Sequence, residues 1–140
     1  IMDALERVGL ADFARSFPRE LSGGMKMRVS IARALVTQPP ILLMDEPFGA
    51  LDEITREKLD DDLLALWRDQ GWTVIFVTHS VYESVYLSQR VIVMAARPGR
   101  VLRDIEIEAP SPRGASFRAS RAYAGQCAAV SSALREGMRP

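Results

Sequence analysis

The sequence predicts an α/β fold: a parallel sheet with flanking helices, followed by a C-terminal helix. The predicted strands at 41–45 and 73–78 contain the uninterrupted apolar runs 41–44 and 74–77, which are typical of strands covered on both faces. The segment between them has a helical apolar period, and strand, helix and strand in this order indicate a parallel sheet. An amphipathic segment at residues 120–136 predicts the C-terminal helix.

Composition limits the size and the class of the protein. With 140 residues, 48% of them hydrophobic, the chain can bury one core and form one domain or slightly less. Lys plus Arg and Asp plus Glu both number 18, so no net charge favours binding to nucleic acid or anionic lipid. Cys127 is the only cysteine, which excludes an internal disulfide. No signal peptide is visible, and no apolar run reaches the roughly 20 residues of a membrane span.

The first forty residues predict helices. Residues 1–9 have a helical apolar period that ends at Gly9, and residues 11–20 form a short helical or irregular link broken at Pro18. Ser22 is a candidate N-cap for a helix that runs to about residue 36. The face of this helix is expected to contain Val29, Ala32 and Val36.

The later elements are predicted in the same way. Asp52 can cap the helix between the two strands, and Gly71 ends it. The stripe of this helix comprises Thr55, Leu59, Leu63 and Leu66, and the acidic run at residues 60–62 is expected on a solvated face. After the second strand we expect a helix at 81–87, strands at 90–95 and 101–107 joined by a turn at 97–100, and a linker at 109–114. The last helix has an amphipathic stripe of Tyr123, Cys127, Val130 and Leu134.

A glycine-rich motif begins the second predicted helix. Gly23 and Gly24 allow the backbone to turn sharply and to approach a ligand closely. The helix behind them directs free N–H groups and its positive dipole end toward such a ligand, as phosphate sites require. Taken alone, a Ser-Gly-Gly motif is better interpreted as an ordinary capped helix start. Its members are Leu21, Ser22, Gly23, Gly24 and Met25.

Two adjacent acidic residues follow the first predicted strand. Asp45 and Glu46 come after four apolar residues and precede Pro47. Parallel α/β sheets bind ligands at the carboxyl ends of their strands, so both groups can reach one pocket there. One carboxylate can hold Mg²⁺ while the other orients and deprotonates a water. An exposed acidic pair at a strand end is the plainer alternative.

These motifs resemble, in the same order, those of the ATPase subunit of an ABC transporter. The match continues through residues 28–35, and Met25 resembles the nitrate/sulfonate/taurine branch of importers. The resemblance implies a P-loop NTPase-like fold that uses ATP and Mg²⁺. It implies that Asp45 is the Mg²⁺ residue and that Glu46 is the general base. It also implies that residues 21–25 close over the γ-phosphate of ATP held by a partner subunit.

The resemblance assigns roles to two further residues. The loop at residues 49–52 would run along the dimer interface, so Asp52 would couple the two ATP sites in addition to capping a helix. His79, the only histidine, directly follows the second strand and resembles the switch histidine that contacts the γ-phosphate. We expect it at the same sheet edge as the acidic pair. The family usually has Asp at the next position, where this chain has Ser80.

One expected motif is missing from the sequence. The 140 residues contain no G-x-x-x-x-G-K-[ST] phosphate loop, and we expect the phosphate loop, the adenine-stacking aromatic and the glutamine loop to precede Ile1 in a longer parent. The chain alone is therefore expected neither to bind ATP tightly nor to hydrolyse it. The resemblance also implies that a missing strand belongs between the strands at 73–78 and 90–95. We expect the resulting gap to be filled by rearrangement or by a second copy.

The resemblance divides the chain into three segments. Residues 1–40 would be part of the helical signature subdomain, residues 41–108 the C-terminal half of the ATPase core, and residues 109–140 a linker and an amphipathic helix. The implied function is ATP hydrolysis that powers import of a small anion such as nitrate, sulfonate or taurine. The implied partners are a second ATPase subunit, membrane permease subunits and, indirectly, a substrate-binding protein, at the cytoplasmic face of a bacterial membrane.

Two other functions are weighed against this one. A half-domain without a phosphate loop can serve as a non-enzymatic interaction module. A chromosome-maintenance or repair ATPase shares the Ser-Gly-Gly turn, but such proteins usually carry an acidic residue after the glycines and lack the proline, so Met25 and Pro47 argue against it.

Overall fold

The computed structural model describes residues 1–96 and 98–137, which form two compact units that meet in the sequence between Val77 and Thr78. The first unit contains α1 (Met2–Arg7), α2 (Gly23–Leu35), β1 (Ile41–Asp45), α3 (Glu53–Gln70) and β2 (Thr73–Val77). The second contains α4 (Val81–Leu87), β3 (Arg90–Ala96), β4 (Gly99–Glu106), α5 (Ala115–Arg118) and α6 (Arg121–Gly137). Over the described ranges, none of these helices is long and apolar enough to cross a membrane.

The ends of the helices in the first unit follow from single residues. The Ser22 hydroxyl accepts a hydrogen bond from the Met25 N–H at 3.2 Å and caps α2, while Asp52 accepts from the Thr55 N–H at 2.9 Å and caps α3. Gly71 adopts φ 66°, the left-handed conformation that ends α3. The predicted starts of α2 and α3 and the predicted end of α3 are therefore confirmed. Between α1 and α2, short 3₁₀ helices occupy Ala11–Phe13 and Pro18–Glu20.

Strands β1 and β2 form the predicted parallel pair. Their register runs from Ile41 opposite Thr73 to Asp45 opposite Val77, so the carboxyl ends of both strands lie at one edge. The prediction that both faces are covered was wrong. Side chains alternate across the strand, and only one side of β1 is buried; the exposed side includes Leu43, which is 72% exposed.

The buried face of α2 differs from the face that the sequence predicted. Ile31, Ala32 and Leu35 are buried, whereas Val29 and Val36 are exposed. Helix α2 carries apolar residues at helical spacing on two adjacent stripes, and tertiary packing selects the second of them. The periodicity alone does not distinguish these stripes.

The acidic run of α3 is not a uniformly solvated face. Asp60 is buried at 4% exposure, Asp62 forms an ion pair with Arg28 of α2, and Asp61 is exposed. Successive helix residues point about 100° apart, so the three carboxylates have three environments. The solvated-face prediction was wrong for Asp60, and the ion pair joins α2 to α3.

The second unit contains an antiparallel hairpin. Strand β3 pairs only with β4 in the described sheet, from Arg90 opposite Glu106 to Ala96 opposite Gly99. The register shifts between Val93 and Met94, which leaves Leu102 as the extra residue of a bulge. A turn was predicted at 97–100; Arg97 lies outside the described residues, and Pro98 is in a turn.

Strand β3 was predicted to be the third strand of a parallel α/β sheet, and among the described residues it does not join β1 and β2. Strands β2 and β3 belong to separate two-stranded sheets. The missing strand that the resemblance to the ABC ATPase implies between them stays a prediction. How the edge of β2 is covered stays a prediction.

Helix α6 packs against α4 and β3 and supplies the core of this unit. Tyr123, Cys127 and Val130 are buried as predicted, but Ala133 is buried in place of Leu134, which is only half-buried. Positions three and four residues after Val130 both continue the stripe, so the spacing alone could not decide between them. The short helix α5, where Phe117 is buried, was not predicted.

Candidate functional site

The glycine-rich motif forms the first turn of α2 and packs closely against other chain segments. A Cβ atom on Gly23 would lie 3.1 Å from Cδ2 of Leu51, and one on Gly24 would lie 3.2 Å from Cγ2 of Thr55. Both glycines belong to the helix, and neither has a positive φ, so the expected sharp turn is not there. The structure gives the glycines a packing reason: they let α2 approach α3 and the loop before it.

Asp45 and Glu46 lie at the carboxyl end of β1, and both side chains are exposed. The Glu46 N–H donates to the Val77 carbonyl at 2.8 Å, which extends the pairing with β2 by one residue. Glu46 then adopts φ 44°, a left-handed conformation that costs a non-glycine residue about 1–3 kcal/mol. Such strain is concentrated at functional sites, and here it turns the chain sharply between two adjacent carboxylates.

The loop after Glu46 is held by contacts of two side chains, Phe48 and Arg56, that the sequence did not reveal. Phe48 is 1% exposed, and its ring lies 5.6 Å from that of Phe76 on β2. The Arg56 guanidinium donates to the Leu51 carbonyl at 2.8 Å and to the Phe48 carbonyl at 3.4 Å. Because Leu51 also contacts Gly23, one short loop connects the end of β1 with the start of α2. An aromatic residue in a loop of small residues was the available signal for Phe48; Arg56 had none.

Asp52 ends this loop and begins α3. Hydrogen bonds from the Thr55 hydroxyl and from the Thr55 backbone N–H hold the pKa of its carboxyl below the ordinary value. The carboxylate is therefore charged at neutral pH and suits the positive end of the helix dipole. Its capping role is observed, while its role in coupling two ATP sites stays a prediction.

His79 lies in the second unit, in the turn that precedes α4, and its side chain is exposed. The Thr78 hydroxyl accepts from the Ser80 N–H at 2.9 Å and donates to the carboxylate of Glu83. The Ser80 hydroxyl in turn accepts from the Glu83 N–H at 3.3 Å and caps α4. Ser80 therefore has a clear local role where the family usually has Asp. The involvement of Thr78 and Glu83 was not predicted.

The acidic pair fits a weakly held hard cation. Mg²⁺ prefers oxygen ligands, keeps several waters and commonly uses one or two protein carboxylates together with substrate phosphates. Asp45 offers an exposed carboxylate of this kind at the strand end. Among the described residues there is no cluster of three or more His, Cys, Asp or Glu side chains. A single exposed carboxylate of this kind is the protein ligand that Mg²⁺ uses when a substrate phosphate supplies other oxygens.

Known proteins match the part of the chain that contains these residues. Residues 1–49, which include the glycine-rich motif and the acidic pair, match the family model described as ABC transporter. A protein of Brucella abortus named only for ATP binding is 55% identical over 120 residues, which cover 86% of this chain and 46% of the relative.

Two further relatives have names that include a transported substrate. The aliphatic sulfonates import ATP-binding protein of Bacillus cereus is 49% identical over 113 residues, covering 81% of this chain and 45% of the relative. The taurine import ATP-binding protein of Rhizobium johnstonii is 51% identical over 107 residues, covering 76% and 41%. The chain thus spans about half the length of the curated relatives it matches.

A solved structure shares the fold. The ATP-binding cassette MJ0796, a dimer in a post-hydrolysis state with ADP and phosphate, matches with a TM-score of 0.61 and 37% identity. The match covers 78% of this chain and 46% of that chain. The predicted P-loop NTPase-like fold class is therefore confirmed.

Proposed function

Because the chain belongs to the ABC transporter family, we propose that it supplies the signature motif and the catalytic acidic residues of an ATP-hydrolysing importer subunit. The observation that carries this proposal is the geometry at the end of β1. Glu46 leaves the strand in a strained left-handed conformation, and the loop behind it is fixed by Phe48 and Arg56 and reaches the start of α2. An ordinary exposed acidic pair requires none of these features.

The two carboxylates would have different tasks. Glu46 would orient the attacking water and accept its proton, which leaves Glu46 protonated until product release. Asp45 would hold Mg²⁺, usually through water. Held there, Mg²⁺ would supply positive charge that offsets the negative charge developing on the phosphate oxygens. The separation of roles explains why two acidic residues stand side by side.

The signature motif would act on a nucleotide held by another subunit. Residues 21–25 would direct the N-terminal N–H groups and the positive end of α2 toward the γ-phosphate of ATP bound to the partner. The exposed Ser22 lies at this helix start. A homodimer is consistent with MJ0796, whose solved structure is dimeric. Asp52, at the end of the loop that contacts Gly23, would couple the two sites.

His79 would contact the γ-phosphate and hold the geometry of the attacking water. A histidine can donate a hydrogen bond to a phosphoryl oxygen in the transition state, where the negative charge is redistributed. Its side chain is exposed, as contact with a bound ligand requires.

The transported substrate would be a small anion. The relatives named for import of aliphatic sulfonates and of taurine favour a sulfonate. Nitrate remains part of the proposal through the resemblance to the nitrate/sulfonate/taurine branch, which includes Met25. Hydrolysis would power permease subunits at the cytoplasmic face of a bacterial membrane, with a substrate-binding protein selecting the cargo.

Without a phosphate loop, the 140 residues alone would neither bind ATP tightly nor hydrolyse it. The same absence favours a second candidate function, in which the chain acts only as an interaction module. The exposed apolar side of β1, with Ile41 at 53% and Leu43 at 72% exposure, is a surface that such a module would use.

A chimera tests the enzymatic proposal. This chain would replace the matching 113 residues of the Bacillus cereus relative, and ATP hydrolysis would be measured with Mg²⁺. We expect turnover, and we expect Glu46→Gln to lower kcat on the order of 100-fold or more because the general base is lost. Glu53→Gln, which changes an exposed glutamate of α3 seven residues away, should leave kcat unchanged.

The unmodified relative provides the positive control for the assay. A folded chimera without turnover, or one in which Glu46→Gln and Glu53→Gln behave alike, would contradict the proposal and favour the interaction module.

A further inference from the structure

We propose that Thr78 and Glu83 are positioning residues that fix the orientation of His79 through a closed set of hydrogen bonds. The inference rests on the proposed function, in which His79 contacts the γ-phosphate. It concerns residues that neither the glycine-rich motif nor the acidic pair includes.

The hydrogen bonds join the two residues that flank His79 in the sequence. Thr78 directly precedes His79 and uses its hydroxyl twice, as acceptor for the Ser80 N–H at 2.9 Å and as donor to the Glu83 carboxylate. Ser80 directly follows His79, and its hydroxyl accepts from the Glu83 N–H at 3.3 Å. Residues 78, 80 and 83 therefore form a ring of contacts beside the backbone of His79, whose side chain is exposed.

The burial of Glu83 needs a reason beyond packing. Its side chain is only 6% exposed, and removing a carboxylate from water costs free energy that hydrogen bonds recover incompletely. An apolar residue would fill the same space on α4 without that cost, and Val85 and Tyr86 already supply buried apolar surface there. As a buried acceptor for the Thr78 hydroxyl, the carboxylate at this position has a role that an apolar side chain could not fill.

The arrangement also limits the motion of the turn. A hydroxyl that donates and accepts at the same time has little rotational freedom. The hydroxyls of Thr78 and Ser80, on the two sides of His79, are both bonded to Glu83 of α4. Less conformational freedom is then lost when the imidazole meets a ligand, which is the benefit of a preorganised site.

Nuclear magnetic resonance on the 140-residue chain tests the inference without any nucleotide. Thr78→Val removes the hydroxyl and keeps the shape of the side chain. Thr78→Ser keeps the hydroxyl as donor and acceptor, and Glu83→Gln keeps a side-chain oxygen that can accept from Thr78. Ser84→Ala is the matched control, because the Ser84 hydroxyl donates to the Val81 carbonyl at 2.8 Å within α4 and does not touch the turn. The readouts are hydrogen exchange of the Ser80 amide and the coupling constants that report the His79 rotamer.

We expect Thr78→Val to speed exchange of the Ser80 amide about tenfold and to average the His79 rotamer, since one hydrogen bond contributes roughly a factor of ten. Thr78→Ser and Glu83→Gln should leave Ser80 amide exchange and the His79 rotamer as they are in the unmodified chain. An unchanged His79 rotamer in Thr78→Val, or the same change in Ser84→Ala, would overturn the inference. Failure of the ATPase chimera would leave these signals unaffected, so the two proposals fail separately.

Discussion

Glu46 illustrates how a single backbone angle serves a site. Its φ of 44° is unfavourable for a side chain with a Cβ, yet its N–H continues the pairing with β2 through the Val77 carbonyl. The residue is therefore held at the strand and turned out of it at the same position. The sequence predicted the acidic pair and its location at a strand end, but no local pattern predicts a positive φ at a glutamate.

The cap of α3 allows a prediction for a single side chain, the Asp52 carboxyl. The Thr55 hydroxyl is the largest cause of the lowered pKa of Asp52, followed by the Thr55 backbone N–H. Thr55→Val removes the first bond and keeps both the second and the methyl group near Gly24. We expect the pKa of Asp52 to rise toward its ordinary value, measured by titration of the carboxyl carbon resonance. Glu57→Gln in the same helix is the control, and an unchanged pKa in Thr55→Val would contradict the assignment.

The sign of the linked stability effect follows from the lowered pKa of Asp52. A carboxyl whose pKa is lower in the folded state contributes stability above its unfolded pKa and loses it as the pH falls through the folded value. The contribution of Asp52 is thus present at neutral pH and disappears in acid. Thr55→Val should reduce this acid-sensitive part.

At the scale of the element, the ends of helices were the most predictable features. Ser22, Asp52, Gly9 and Gly71 were identified from residue type and position, and each end lies within two residues of its predicted place. These signals are local, because a side-chain cap or a left-handed glycine acts within one turn. The faces of the helices were less predictable, since burial depends on partners distant in sequence.

Two glycines give opposite expectations in helices. Gly125 lies inside α6, is exposed and has open space around its Cα, so Gly125→Ala should raise the free energy of unfolding by about 0.5–1 kcal/mol. Gly71 also has open space, but its φ of 66° disfavours a Cβ. Gly71→Ala should lower the free energy of unfolding by about 1–2 kcal/mol.

Urea denaturation of both variants provides the measurement. Because neither glycine has a neighbouring atom that a methyl group would meet, the difference isolates backbone conformation. The same sign of change for Gly71→Ala and Gly125→Ala would contradict these helix assignments.

At the scale of the whole molecule, the order of elements and the parallel pair were predictable, and the grouping of the strands was less so. Apolar strands without alternation indicated two covered faces, yet Leu43 and Ile75 are exposed. Apolar residues predict that a face is buried, but they do not identify the element or the chain that packs against it. The pairing of β3 with β4 depends on a hairpin turn, whereas the pairing of β1 with β2 depends on an intervening helix.

The candidate site follows the same division. The glycine-rich motif, the acidic pair and His79 were recognised because each is a short motif. Arg56, Thr78 and Glu83 were not, because their contribution lies in contacts to backbone and side chains that only the folded chain defines. Motifs identify the groups for chemistry, and the structure identifies the residues that hold them.

We propose that this chain supplies the signature motif and the catalytic carboxylates of an ATPase, while its 140 residues contain no phosphate-binding loop. Hydrolysis of MgATP would be measured with the purified 140-residue chain. Calorimetric titration with MgATP up to about 1 mM would accompany it, because a Kd of about 1 mM corresponds to a binding free energy of about −4 kcal/mol. We expect neither turnover nor saturable binding. Turnover by the chain alone that Glu46→Gln abolishes would contradict it.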